Sequence, residues 1–383
     1  MSYISGRLTG VVNFEVEIET GRTLVTKRTT IYAAGLHLFI FITLIYKLIY
    51  AFVLTSIWNS PNSLQANVFL LTSRSRMICV FLALASRWSQ GRTFLRLFKS
   101  LRRLWRSNPD IIKLCRRSIV GKCLCDILTD GLSGIIITLL VQNHPTISCT
   151  LLIWLLFCQM AIVKVIATQY FIAMAIFRGH YILLNKDLKA IVVEAQSLIP
   201  LRRGEVFETR CRCLADRLEQ IARKQSELQE LIDVFSKAYQ GQVVCIIFTY
   251  TVNGVVLFYT LFSLKKYIDI MENGSMIIIV ICIACLVLYE INCWLNVKNV
   301  FNLLDAHDNM FALLSQRTLF QPGLDNRLET VFETFTLNLA RNPLHLASLG
   351  LFKFDRRSVF AGHQEDQEYL EHQEDQEHQQ REK

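Results

Sequence analysis

The sequence predicts an all-α membrane protein. It reads as six transmembrane helices with a cytoplasmic N-terminus, long cytoplasmic helical extensions of helices four to six, and a disordered acidic C-terminal tail. Three observations carry that reading. The 383 residues are 52% hydrophobic with a mean hydropathy of +0.32, too apolar for an ordinary soluble domain of this length. Six apolar stretches each reach the roughly 20 residues that a helix needs to cross the hydrocarbon core. Lys and Arg are dense in alternate connecting segments and sparse in the others.

Residues 1–31 are polar and mixed, with no apolar h-region and no small-residue cleavage site. They read as a cytoplasmic N-terminal segment, and the first apolar stretch as a signal-anchor that stays in the protein. A transmembrane bundle then occupies 32–295, with spans at Tyr32–Trp58, Ala66–Ser86, Gly121–Val141, Cys149–Phe177, Gly241–Leu264 and Ser275–Leu295. Arg74 and Arg76 interrupt the second span, and the fourth is long enough to tilt or to run on beyond the membrane. Segments 1–31, 87–120, 178–240 and 296–360 hold 4, 10, 11 and 7 Lys/Arg, whereas 59–65, 142–148 and 265–274 hold none, none and two. The positive-inside rule therefore makes the first set cytoplasmic. Six crossings return the chain to the same side. A rhodopsin-like receptor, whose N-terminus lies outside, is excluded by this orientation.

The net charge of +9 is unevenly placed, because residues 363–383 carry eight acidic and two basic side chains, leaving about +15 on the first 362. The basic residues sit in short blocks beside apolar spans, as the flanks of membrane helices do, so the charge does not read as a nucleic-acid surface. The twelve Cys lack zinc or thioredoxin-type spacing outside the apolar spans, and neither a metal nor another cofactor is expected. HExxH, Gly-rich phosphate and GxSxG patterns are absent from the sequence, so no enzyme is expected. The halves show no internal repeat with matched broken spans, which argues against a small-solute transporter. Residues 361–383, with HQEDQE at His363–Glu368 and His372–Glu377, are too polar to bury a core and read as a disordered tail.

The cytoplasmic segments 87–120 and 178–240 read as helical, the second with a break at Ile199-Pro200 and Gly204. After the break, Leu214, Leu218, Ile221, Gln225, Leu228, Ile232 and Phe235 recur at alternating spacings of four and three. Such a stripe serves an intramolecular packing seam or a subunit contact. A similar stripe is read after the sixth span through Val297, Val300, Phe301, Leu304 and Phe311. Within the 296–360 anchor segment a further helix starts near Asp325 as N-cap, carries Leu328, Val331, Phe332, Phe335 and Leu339 on one face, and ends before Pro343.

In order and spacing these features resemble the insect gustatory receptor family over about residues 30–360. Tyr181-Ile182-Leu183-Leu184-Asn185-Lys186-Asp187-Leu188 resembles the LN-x-x-L segment that follows the family's fourth helix. Phe335-Thr336-Leu337-Asn338-Leu339, followed by Gly350-Leu351-Phe352-Lys353-Phe354-Asp355-Arg356-Arg357, resembles the stretch leading into its seventh helix. The resemblance implies a ligand-gated cation channel of the plasma membrane of sensory neurons. Such a channel is a homo- or hetero-tetramer with other gustatory receptor subunits and detects tastants or contact pheromones. The family's hallmark, Thr-Tyr with five apolar residues and Gln-Phe in a pore-lining seventh helix, is not found, since Thr249-Tyr250 lies in the fifth span. The expectation is that the seventh helix is missing from this chain. The alternative function is accordingly a truncated, non-conducting member that acts as a structural partner or modifier of other subunits.

Ionisable groups inside spans are costly and are functional candidates by default. Here they are Lys47, Arg74, Arg76, Lys164 and Glu290. The competing reading is that the cations snorkel, or that one of them bridges to Glu290. For a small-molecule tastant, which needs a few placed polar groups among aromatic walls, the candidates are Trp154 and Gln159 in the fourth span and Asn253 and Tyr259 in the fifth. Each of these could instead be a helix-packing residue.

Overall fold

Five of the six apolar stretches lie each within its own helix, and the first does so as far as Ile49, in the computed structural model, which describes residues 6–7, 9–11, 15–16, 23–24, 26–49, 63–143, 147–198, 205–268, 273–315, 325–344, 347–348 and 352–353. The helices are α1 (Lys27–Ile49), α2 (Ser63–Ser89), α3 (Gly91–Ser107), α4 (Asp110–Asn143), α5 (Ile147–Leu198), α6 (Glu205–Ile268), α7 (Asn273–Ser315) and α8 (Asn326–Arg341). Two minimal hairpins depart from the all-α expectation. One pairs Glu15–Val16 with Thr23–Leu24 and the other pairs Ala347–Ser348 with Phe352–Lys353, both antiparallel. The acidic tail and residues 50–58 of the first predicted span lie outside the described residues.

Among the described residues two stretches, Cys158–Leu198 and Val206–Val256, are long and apolar enough to cross a membrane by length and composition. The apolar stretch of α2 is interrupted by Arg74 and Arg76, and that of α4 by Lys122, Asp126 and Asp130. Their outward faces are nonetheless apolar. On α4, Leu124, Ile127, Leu128 and Ile135 are exposed, and on α2 so are Ile78 and Phe81. In water such a surface would be an aggregation liability; in lipid it is the ordinary solvated face.

Helix α5 is the axis of the molecule, packing on α4, α6 and α7 and also touching α1, α2 and α3. Where α4 crosses it the approach is so close that a Cβ at Gly179 would sit 2.8 Å from Ile111 Cγ2 and 2.9 Å from Cys115 Sγ. The Cys115 thiol donates to the Ala175 carbonyl at 2.9 Å in the same crossing. Glycine is required there by space, not by backbone angle.

The long helices run without interruption from the apolar stretches into a second packed layer. α5 continues to Leu198 and α7 to Ser315, while α6 begins 36 residues before its apolar stretch. α5 is described to Leu198 and α6 from Glu205, and the predicted break at Ile199-Pro200 and Gly204 lies outside the described residues. In this layer Leu214, Leu218, Ile221, Gln225, Leu228, Ile232 and Phe235 of α6 are all buried. They share one continuous core with Tyr181, Leu184 and Leu188 of α5 and with Leu328, Phe332, Phe335 and Leu339 of α8. Each such leucine or phenylalanine contributes about 1.5–3 kcal/mol by burial. Phe235 stacks on Tyr239 at 4.3 Å between ring centroids and meets Phe177 edge-on at 5.5 Å.

Two sequence expectations for this layer need correction. The buried stripe of α7 runs through Asn299, Val300, Leu303, Ala306, His307, Met310 and Leu314, whereas Phe311 is exposed. The predicted stripe shares Val300 with this seam, and its Val297, Phe301 and Leu304 are half-buried, Leu304 packing against the core; only its end at Phe311 falls off the seam. The seam contains polar members that a hydrophobicity count discards: Asn299 Nδ2 donates to the Phe171 carbonyl at 3.0 Å, while Asn299 Oδ1 and His307 Nε2 have no partner among the described residues. Asp325 does precede α8, but its side chain makes no capping hydrogen bond; its carbonyl accepts from the Glu329 amide at 3.1 Å. α8 ends at Arg341, two residues before Pro343.

Candidate functional site

In the middle of the bundle, α4 places Lys122, Asp126, Thr129, Asp130 and Ser133 on one face, because residues three and four apart are neighbours on a helix. That polar face meets α5 and α7 at Lys122, Asp126 and Thr129, while the Asp130 side chain is about half exposed. The Lys122 ammonium, fully buried, lies 3.1 Å from Asp126 Oδ1 and donates to Asn292 Oδ1 of α7 at 2.6 Å. The other Asp126 oxygen accepts from Thr168 Oγ1 of α5 at 2.8 Å. Asn292 Nδ2 reaches Thr129 Oγ1 at 3.5 Å, and that hydroxyl bonds back to the Cys125 carbonyl at 2.7 Å. One step along α4, Asp130 pairs with Lys164 of α5.

The second half of the site is aromatic. Lys164 Nζ stands 5.6 Å from the centroid of the Tyr289 ring of α7, a cation–π distance. The Tyr289 hydroxyl donates to Met160 Sδ at 3.4 Å, and the ring lies 6.5 Å from that of Tyr250 on α6. Arg76 of α2 donates to Asn253 Oδ1 of α6. On the next residue, Gly254, a Cβ would come 3.4 Å from Glu290 Oε1 of α7, so this glycine leaves room for the carboxylate.

The predicted residues therefore divide. Arg76, Lys164, Asn253 and Glu290 come together around Tyr289 and Tyr250, whereas Arg74 is exposed. Neither cation bridges to Glu290: Lys164 takes Asp130 and Arg76 takes Asn253. Gln159 is buried on α5, and Tyr259 is half-buried further along α6. The side chains of Lys47 and Trp154 lie outside the described residues. Sequence reasoning passed over Lys122, Asp126, Asp130, Thr168 and Asn292. The available signal was the spacing of four between Lys122, Asp126 and Asp130 within an apolar stretch, which puts opposite charges on one helical face.

Several buried polar atoms here have no hydrogen-bond partner among the described residues: both amide atoms of Gln159, Asn253 Nδ2, Glu290 Oε1 and Arg76 Nε. Each such atom costs about 1–3 kcal/mol when left unpaired. Arg76, Lys122 and Lys164 are balanced by Asp126, Asp130 and Glu290, so the cluster is close to neutral while offering unpaired donors and acceptors. Chemically it suits a small, uncharged, polar molecule better than an ion. A separate concavity of about 450 Å³ lies between α5 and α7 in the second layer, lined by Asn185, Lys186, Lys189 and Asn309 among others. It contains none of the candidate ligand residues.

Comparison with known proteins follows the same lines. A family model described as 7tm chemosensory receptor matches residues 1–361. The chain is similar to the Drosophila melanogaster protein named gustatory receptor 59d, with 51% identity over 362 residues, 94% of this chain and 92% of that one. To gustatory receptor 36b of the same organism it is 30% identical over 359 residues, covering 92% of this chain and 90% of the other. Among solved structures it is similar to the insect olfactory receptor OR5 from Machilis hrabei, with a TM-score of 0.63 and 12% identity over 94% of this chain and 93% of that one. The same receptor in complex with eugenol matches with a TM-score of 0.59 and 14% identity over the same shares. At such identities the two structures speak to the fold alone.

Proposed function

This chain belongs to the 7tm chemosensory receptor family, and from that premise we propose that it is a gustatory receptor subunit of the ligand-gated cation-channel type. It crosses the plasma membrane of sensory neurons six times with both described ends cytoplasmic, and it assembles as a homo- or hetero-tetramer with related subunits. The family is one of receptors and not of enzymes, in keeping with the lack of catalytic motifs. Small polar tastants bind within the bundle, hydrogen-bonded by Gln159 and Asn253 against the Tyr250 and Tyr289 rings, with Trp154 and Tyr259 toward the outer end.

The observation that carries this reading is the set of unpaired polar atoms of Gln159, Asn253 and Glu290 inside a charge-balanced core. A polar ligand that satisfies them recovers free energy that the empty core forgoes. A panel of tastants is applied to cells expressing the chain with and without related subunits, and evoked current is recorded. Gln159→Leu and Asn253→Leu should each raise the half-maximal concentration tenfold or more while surface abundance is retained. Unchanged dose–response curves in both variants would remove these residues from the site. A chain that alters a partner's response but carries no current itself would favour the modifier role. Epitope tags at either terminus, stained before and after permeabilisation, test the orientation.

A further inference from the structure

Helix α3 is the most amphipathic in the chain, and nothing above uses it. Phe94 and Leu97 are buried in the core, and Leu101 and Leu104 pack against it. On the opposite side Arg92, Arg96, Lys99, Arg103 and Arg106 are all exposed, at spacings of four, three, four and three that align five cations along one face. α3 contains no acidic residue. None of the five enters an ion pair among the described residues.

The depth of α3 follows from its contacts. Near its start Phe94 meets Tyr239 edge-on at 5.1 Å, two residues before the apolar stretch of α6 begins. Near its end the backbone of Leu104 hydrogen-bonds His180, three residues past the apolar stretch of α5. These two contacts are ten residues apart, about 15 Å along the helix, yet both fall at the membrane-proximal ends of their partners. α3 therefore lies along the membrane surface, its apolar side toward the bundle and its cationic side facing outward at headgroup level. Trp88, just before it and 41% exposed, is the kind of residue that favours this interface.

We propose that the α3 stripe is a binding site for anionic phospholipid headgroups, held by Arg92, Arg96, Lys99, Arg103 and Arg106. The choice of occupant rests on which face is free. A protein that grips a basic amphipathic helix in a groove needs its apolar side, and α3 has already buried that side on α5 and α6. The free side offers charge alone, at a depth where lipid phosphates surround it and long basic side chains reach them. Arg102, half-buried and beside Arg106, has its guanidinium pKa lowered by burial and by that neighbour, a crowding of cations that an anionic headgroup relieves. The inference rests on the proposed orientation only for the identity of the leaflet, since the binding itself is read in detergent.

The test is native mass spectrometry of the purified full chain titrated with phosphatidylserine, with phosphatidylcholine and with inositol hexakisphosphate. Phosphatidylserine adducts should form at concentrations at least tenfold below those for phosphatidylcholine. Each neutralised residue should weaken them about fivefold. R92Q/R96Q/K99Q/R103Q/R106Q should erase the preference, while R92K/R96K/R103K/R106K, with charge kept, should retain it. Equal binding of the two lipids by the unmodified chain overturns the proposal, as does an undiminished preference in the five-fold Gln variant with an unchanged melting profile. Hexakisphosphate binding without any lipid preference would make the stripe a soluble-anion site and overturn the lipid assignment. Phosphatidylserine binding that appears only after deletion of residues 363–383 would make the acidic tail the occupant of the stripe in the intact chain and overturn the lipid assignment.

Discussion

Replacing Lys122 by Met tests the polar core most sharply, because its ammonium ties α4 to α7 and neutralises the Asp126 carboxylate that in turn holds α5. In the folded chain it neutralises Asp126 at 3.1 Å and is hydrogen-bonded to Asn292 at 2.6 Å. Lys122→Met leaves the Asp126 carboxylate with the Thr168 hydroxyl alone, and breaking one partner of a buried pair costs about 3–5 kcal/mol. Asp126→Leu strands the buried ammonium in the same way and carries a similar cost. The double variant strands neither charge. It forfeits chiefly the donor to Asn292, about 1–3 kcal/mol, while Thr168 can turn its hydroxyl to its own helix backbone. The double variant should therefore melt above either single variant in detergent, read by loss of the size-exclusion peak after heating, and its surface abundance in cells should recover likewise. If the two single losses simply add, the reasoning fails. A sum near 6–10 kcal/mol would also rival the whole stability of a typical fold.

Three further outcomes follow from the packing. Gly179→Ala forces its new methyl to 2.8–2.9 Å from Ile111 Cγ2 and Cys115 Sγ, at a cost of about 1–3 kcal/mol; the same melting assay should show the loss, and Ile111→Ala should recover part of it. Leu218→Ala opens a cavity in the fully buried α6 stripe and should cost about 2–5 kcal/mol. Arg327→Gln, which removes an exposed pair with Asp216 and Glu219 in the same layer, should leave the melting temperature unchanged. The His180 pKa is lowered chiefly by burial, with the Leu104 backbone bond opposing. Its contribution to stability is thus complete above the ordinary histidine pKa of about 6.5 and is lost as pH falls toward the lowered folded value. A melting temperature that drops from pH 7 to 5 more steeply in the parent chain than in His180→Gln is the expected result, and parallel curves would refute it.

Much of the architecture was legible because it rests on periodicity that tertiary context reinforces. The α6 stripe from Leu214 to Phe235 could be read at spacings of four and three because every member but Gln225 is apolar. The stop before Pro343 was legible because proline has no backbone N–H to continue a helix. The α7 seam was misread toward Phe311 because Asn299 and His307 occupy core positions, with Asn299 Nδ2 donating to the Phe171 carbonyl. A sequence rule cannot know that such a partner is within reach. The polar core was half seen for the same reason. Arg76, Lys164, Asn253 and Glu290 stood out singly, but their partners lie on other helices at separations such as 34 residues for Lys164 to Asp130 and 177 for Arg76 to Asn253.

The placement of that core has a mechanical consequence for the proposed receptor. Tyr289 and Glu290 sit on the same unbroken α7 as Met310, and Gln159 sits on the same α5 as Leu188, so groups around the ligand site and groups in the packed second layer share rigid rods. From Glu290 to Met310 is 20 residues, about 30 Å of helix, so a tilt of about 5° at the polar core moves the far end by about 2–3 Å. Cores packed to interior density do not absorb such a shift gradually; they pass between discrete arrangements. A ligand drives that passage only to the extent that it binds one arrangement better than the other. The unpaired atoms of Gln159, Asn253 and Glu290 supply the means, since they lie on α5, α6 and α7 and one small molecule bonded to all three fixes the spacing of those rods. Agonists should accordingly be distinguished from inert analogues by the reach of their hydrogen-bonding groups across three helices, and not by affinity for any single residue.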